Sequence, residues 1–227
     1  MWELRNPDTN AGFYTAQQDN SKAQVSNFFS VNLNTSSGVV TVPNVNLDGR
    51  QSKIFVTDYK FGSNLLLYST VDVLTYGIFD TDVIVLYLKE GQTGQFALKN
   101  LPPGSTFKAF GTSKFTSTAS TSDGTTTVVY TQGDGKTVLQ ANGVLIYLLE
   151  QKTAWKFWAP ATTVNPEVKP NEQIFVLGPY LVRSAYVSHG VVHVSGDNQA
   201  ETEIEIYTGN PEIETIDWNG IRIKATK

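Results

Sequence analysis

His189 and His193 stand four residues apart, the spacing at which two imidazoles share one zinc ion on a helix. The residues between them, Gly190-Val191-Val192, predict a turn running into a strand instead. Four residues of strand span about 13 Å, whereas zinc ligands lie about 2 Å from the metal, so a shared ion is excluded in that geometry. Val187–Gly190 (VSHG) has the Ser and final Gly of a nucleophile elbow, but Tyr186 occupies the first glycine position. What remains is a Ser/His pair on a β-turn. Gly133–Thr137 (GDGKT) imitates the end of a phosphate-binding loop, yet Tyr130 replaces the leading glycine, and strand, turn and strand follow where a helix is needed. It reads as a hairpin tip.

Glycoside hydrolysis needs two carboxylates facing one bond, roughly 5 Å apart for retention or 6.5–9.5 Å for inversion. Asn171-Glu172 has the residue types of many barrel glycosidases, but it sits in a Pro-flanked stretch. Glu203 and Glu205 share one face of an alternating run with no evident cleft. No catalytic, metal or cofactor residue is expected. Three aromatics, Trp155, Trp158 and Tyr180, are the candidates for stacking on sugar rings, and buried aromatics closing a sheet are the plainer reading. Asn34-Thr35-Ser36 is an N-glycosylation sequon.

The composition frames these readings. The chain has 227 residues and a net charge of -4, without a basic run, which disfavours nucleic acid as a partner. It has no cysteine, so disulfides, thiolate metal sites and Cys nucleophiles are all ruled out. The longest apolar runs, Val83–Leu88 and Val144–Leu149, are far too short to span a membrane as helices. MWELRNPDTN has no apolar signal-peptide region.

The elements that must position any site are strands. Asp48-Gly49, Asp123-Gly124, Asp134-Gly135, Asn142-Gly143 and Asn219-Gly220 favour tight hairpins, and runs rich in Val, Ile, Thr, Tyr and Phe lie between them. The predicted class is all-β. Val83–Leu88 is apolar on both faces and should be covered on both, whereas Thr202–Tyr207 alternates Glu203 and Glu205 with Ile204 and Ile206. Thr118–Thr121 reads as an exposed loop or strand edge. Asp58 and Asp72 interrupt apolar strands and need partners if buried; Arg50 and Lys53 are candidates by charge. One helical turn is predicted over Ala154–Trp158, capped by Thr153 and stopped by Pro160, which would put Trp155 and Trp158 on one side. Ala161–Gln173 reads as a linker, giving domains at 1–164 and 165–227.

Five segments carry a resemblance. Glu3–Tyr14 (ELRNPDTNAGFY), Leu47–Thr70 (LDGRQSKIFVTDYKFGSNLLLYST), Thr153–Pro160 (TAWKFWAP), Gly178–Ala185 (GPYLVRSA) and Trp218–Ile223 (WNGIRI) are similar, in order, to landmarks of the large fungal-type β-galactosidases of glycoside hydrolase family 35. The resemblance implies an antiparallel β-sheet domain followed by a small β-sandwich domain, the second and third domains of such an enzyme. Both catalytic glutamates would then lie on a preceding (β/α)₈ barrel, and none of the family's catalytic positions transfers to this chain. The implied partners are that barrel and the other domains of a secreted parent; a free-standing galactoside-binding module is the alternative. Asp48–Tyr76 becomes framework, with Asp58 and Asp72 in structural bonds.

Overall fold

The computed structural model describes residues 2–20, 22, 24–164, 167 and 169–224. The strands in chain order are β1 (Trp2–Arg5), β2 (Gly12–Gln17), β3 (Ser26–Thr35), β4 (Gly38–Asp48), β5 (Ser52–Phe61), β6 (Asn64–Ser69) and β7 (Asp72–Ile78). Next come β8 (Asp82–Leu88), β9 (Thr93–Lys99), β10 (Lys108–Phe110), β11 (Lys114–Ala119), β12 (Thr125–Thr131), β13 (Lys136–Ala141) and β14 (Val144–Glu150). A helical turn α1 (Gln151–Ala154) precedes β15 (Phe157–Trp158), β16 (Phe175–Leu177), β17 (Leu181–Ser188), β18 (Val191–Asp197), β19 (Glu205–Tyr207), β20 (Thr215–Trp218) and β21 (Ile221–Lys224). The class is all-β.

The chain divides into two compact units, Met1–Thr75 with Asp82–Gln151, and Tyr76–Thr81 with Lys152–Lys227. The boundary read from the sequence near residue 165 falls on residues outside the described ones. In the first unit a seven-stranded sheet runs β1-β2-β5-β6-β9-β12-β11; a five-stranded sheet runs β10-β13-β14-β8-β7, all of it in the first unit except the end of β7 from Tyr76. The β3–β4 hairpin covers one face of the larger sheet: Val31, Leu33, Val42, Val45 and Leu47 bury against Tyr14, Ala16, Phe55 and Ala97. On β9 the side chains alternate, so Gly94, Phe96 and Leu98 face away from Ala97. A Cβ on Gly94 would lie 2.7 Å from Leu88 Cδ1 and 2.4 Å from Val71 Cγ2, so the two sheets meet here at a separation only glycine permits.

β8 and β14 pair in parallel at the centre of the five-stranded sheet. Val83, Ile84, Val85 and Leu86 are fully buried, as an apolar run without alternation requires. β11 is the edge strand of its sheet, which places the polar run from Thr118 at an exposed edge. In the second unit a three-stranded sheet, β15-β16-β19, packs on a four-stranded sheet, β17-β18-β20-β21. Their shared core is Ile174, Val176, Val182, Ala185, Val192, Val194, Ile213 and Trp218, with Trp158, Ile204 and Ile206 partly buried against it.

Four local expectations are corrected. The helical turn lies at Gln151–Ala154, not Ala154–Trp158, because Phe157 and Trp158 pair with Leu177 and Val176 as strand β15. Burying Phe157 against Phe175, ring centroids 5.0 Å apart, outweighs four more residues of an isolated turn. GDGKT is not a hairpin tip, since it carries the chain from β12 in one sheet to β13 in the other. Gly135, at φ 67°, bends the backbone so that Leu139 can be buried beside β14. Asp48-Gly49 likewise joins strands of different sheets; Asp123-Gly124, Asn142-Gly143 and Asn219-Gly220 do close hairpins. The alternating run Thr202–Tyr207 is strand only from Glu205, because its partner β16 has three residues and ends at Leu177, opposite Glu205.

Candidate functional site

The acids that interrupt the apolar strands are held by structural bonds. Asp58, on β5, has φ 53°, in the left-handed region, and is buried. Its Oδ1 accepts from Ser36 Oγ at 2.6 Å and its Oδ2 from Ser36 N at 3.0 Å, and Arg5 Nη1 lies 3.5 Å away. Arg5 and Ser36 thus take the role expected of Arg50 or Lys53. Both bonds tie the β3–β4 hairpin and the N-terminal strand to β5. Asp82 accepts from Ser63 N, Ser63 Oγ and Asn64 Nδ2 at 2.7–2.8 Å, and fixes the β5–β6 turn.

Of the two cations proposed as partners by charge, Lys53 lies close enough to Asp72 for the two charges to act on each other. Burial pushes the Lys53 ammonium down from 10.5 to about 8, against the opposing pull of the Asp72 charge. Asp72 is raised, mainly by burial, although the Ile54 N–H donates to its Oδ1 at 2.9 Å. Such perturbation is common at catalytic centres. Here the neighbours include strand backbone and the Tyr87 and Tyr130 phenols, both raised by burial and by the Asp72 charge. A second carboxylate, needed for glycosidic bond cleavage, is not among the groups that perturb this pair.

The other candidates do not converge. Glu172 Oε2 accepts from Lys169 N at 3.1 Å, and the Glu172 carbonyl accepts from Thr162, closing a local loop. Glu203 and Glu205 are exposed, and the Glu203 carbonyl would lie 2.0 Å from a Cβ on Gly178, which holds φ 118°. A groove of about 690 Å³ in the first unit is lined by Gln18, Asn27, Phe29, Asn32 and Leu47, with Asp19 the sole acid among its described residues. Among the described residues no three His, Asp or Glu side chains gather as a metal set.

The aromatic candidates are separated by environment. Trp158 packs on the second unit's core, and its Nε1 donates to the Pro179 carbonyl at 3.1 Å. Trp155, 68% exposed, follows α1, and Tyr180, 60% exposed, precedes β17. The helical side expected to unite Trp155 and Trp158 does not form. Asn34 ends the exposed part of β3, its Nδ2 donating to Glu3 Oε2 at 3.2 Å.

One cluster escaped sequence reasoning. His189 and Gly190, both at positive φ, turn β17 into β18, so Ser188 Oγ lies 3.1 Å from His193 Nε2. His193 Nδ1 lies 3.5 Å from Asp217 Oδ2, because β18 pairs in parallel with β20 and sets these residues opposite. The order resembles a nucleophilic triad. Register accounts for it differently: Tyr186, His193, Asp217 and Arg222 form one cross-strand row on the outer sheet face. Tyr186 stacks on the imidazole at 4.4 Å, and Asp217 Oδ1 accepts from Gly220 N in the next turn. The SHG turn announces the Ser188–His193 contact in sequence; the parallel pairing that brings Asp217 has no local signal.

Comparison with known proteins accounts for the whole chain. The family model described as β-galactosidase domain 2 matches residues 1–157, and that described as β-galactosidase domain 3 matches residues 158–227. The chain is 56% identical to a probable β-galactosidase C of Sclerotinia sclerotiorum over 227 residues, all of this chain and 23% of that protein. It is 50% identical to its counterpart in Neosartorya fischeri, again over all of this chain and 23% of the relative, and 52% identical to that of Penicillium rubens over 96% of this chain and 22% of the relative. The chain therefore spans less than a quarter of the length of these relatives.

Proposed function

Because the chain belongs to the β-galactosidase domain 2 family and continues into domain 3, we propose that it is a non-catalytic accessory module of a β-galactosidase. Continuous coverage by these two models is the observation that carries the reading. The parent would hydrolyse terminal β-galactosides with retention as a member of glycoside hydrolase family 35, with both catalytic carboxylates on a (β/α)₈ barrel outside this sequence. The module's part is architectural: two layered β units whose buried acids tie strands together. Its partners are that barrel and the parent's other domains.

The test is a replacement. Deleting the matching segment from the Sclerotinia relative should abolish galactoside hydrolysis, and inserting this chain in its place should restore it. Failure of a soluble, folded graft to restore hydrolysis would count against the accessory role. A free-standing galactoside-binding module is not favoured, since Trp158 is committed to the core. Titration of the chain with galactose or lactose should leave its tryptophan fluorescence unchanged; a saturable change would revive Trp155 and Tyr180 as stacking faces. Secretion of the parent would make Asn34, exposed near a hairpin turn, an N-glycan acceptor. A mass shift on enzymatic glycan removal, absent in Asn34→Gln, checks that assignment.

A further inference from the structure

An antiparallel edge strand ordinarily turns its apolar side to the core and its polar side to water. β1 does the opposite. Glu3 and Arg5 share one face of it, and both are fastened to the protein. Glu3 Oε2 accepts from Asn34 Nδ2 at 3.2 Å, Arg5 Nη2 donates to the Asn34 carbonyl at 3.2 Å, and Arg5 Nη1 lies 3.5 Å from Asp58. Trp2 and Leu4 share the other face, and they are 81% and 70% exposed.

Register carries that open face inward. Trp2 stands opposite Thr15, which stands opposite Ile54; Leu4 stands opposite Phe13, which stands opposite Val56. Val56 is followed across the sheet by Ser69 and Phe96, on the side where Gly94 meets Leu88. Burial falls off outward along these rows. Phe96 and Val56 are sealed, Phe13 is half-buried with its ring edge-on to Tyr59 at 6.4 Å, and Ile54 is 49% exposed. The cover over the middle of this sheet therefore stops before its β1 end. The far edge is finished differently. On β11 the same face holds Phe115, Ser117 and Ala119, and Phe115 is half-buried beside Phe107 at 6.5 Å. Only the β1 end presents large apolar side chains to water, with no charge among Trp2, Leu4, Phe13, Thr15 and Ile54.

We propose that Trp2, Leu4, Phe13 and Ile54 form the docking surface for the domain that stands before this module in the parent polypeptide, which seats an apolar, uncharged face on them. The family description numbers residues 1–157 as a second domain, and this chain matches only 23% of the Sclerotinia relative. β1 is the strand into which a preceding domain leads, so the connection itself holds that domain beside the patch. A tethered contact needs few residues, because the partner is already at high effective concentration. Two separate copies of this chain would need roughly 20–30 residues a side, far more than this surface offers. The inference rests on the accessory reading, and its readout is independent of catalysis.

Leu4→Cys and Thr118→Cys are introduced singly into this chain, both alone and grafted into the full-length Sclerotinia relative in place of its matching segment. Maleimide labelling is timed under native conditions, with the signal of the unsubstituted proteins subtracted. This chain has no cysteine of its own. Leu4→Cys should label at least tenfold more slowly in the graft than in the chain alone, measured against Thr118→Cys on the exposed strand β11. Equal relative rates would overturn the proposal. So would protection in the chain alone that grows with protein concentration, which would assign the surface to a second copy. Trp2→Glu gives a second reading: it should leave the melting temperature of the chain alone unchanged and lower that of the graft, and an equal effect on both contradicts the proposal. Galactoside hydrolysis by the unsubstituted graft reports separately on the accessory role. Restored hydrolysis with Leu4→Cys unprotected would reject this surface and leave that role standing.

Discussion

Asp58 concentrates several constraints in one side chain: burial, a left-handed backbone, two bonds to Ser36 and the charge of Arg5. Asp58→Leu should cost about 2–3 kcal/mol in urea unfolding, since it strands the Ser36 donors and puts a leucine at a left-handed backbone position. Asp58→Asn keeps an acceptor and tolerates positive φ, so it should cost less than half as much. Lys53 gives a pH signature. Its native value is lowered from 10.5 to about 8, so the unfolded chain holds this proton where the native one has shed it. Stability should therefore rise as pH climbs from about 8 to 10.5, and Lys53→Met should flatten that rise in denaturation curves taken across the window. Asp72 has the opposite sign: its raised value contributes stability below the ordinary carboxylate range, lost as pH rises through the native value. The fully buried Tyr130 hydroxyl makes no hydrogen bond among the described residues, so Tyr130→Phe should be neutral or stabilising by up to about 1 kcal/mol in the same assay.

At the scale of elements, β8 shows what a sequence reveals directly. An unbroken apolar run bounded by polar residues has to be covered on both faces, and Val83–Leu86 are. Leu86→Ala should destabilise the first unit by about 2–5 kcal/mol, measured by thermal or urea unfolding. The Asn-Gly and Asp-Gly turns were equally legible where their flanking strands pair. At Asp134-Gly135 the same dipeptide carries the chain between sheets, because turn chemistry fixes backbone angles and leaves the pairing partner open. The two parallel ladders, β8 with β14 and β18 with β20, were hidden for a related reason. Such pairings join segments far apart in sequence and leave no periodic trace. They explain why Asp217 beside His193 was missed, and why the turn at Trp155 was placed too late: β15 exists only because β16, beyond the loop, offers it a ladder.

For the whole molecule, the layered sheets give structural roles to several of the polar groups that could have suggested chemistry. Asp58 and Asp82 close turns and tie strands, Glu172 closes a loop, and the Ser188–His193–Asp217 row follows from register. The candidate acids of glycoside hydrolysis stay apart. The likeness to β-galactosidase domains 2 and 3 was readable from the sequence, and the family matches over residues 1–157 and 158–227 bear it out. The most direct test of the central claim is to offer the purified 227-residue chain a chromogenic β-galactoside, after near-UV circular dichroism and a cooperative melt establish that it is folded. The expected result is release of chromophore no faster than in buffer; turnover that scales with protein and survives a second purification would contradict it.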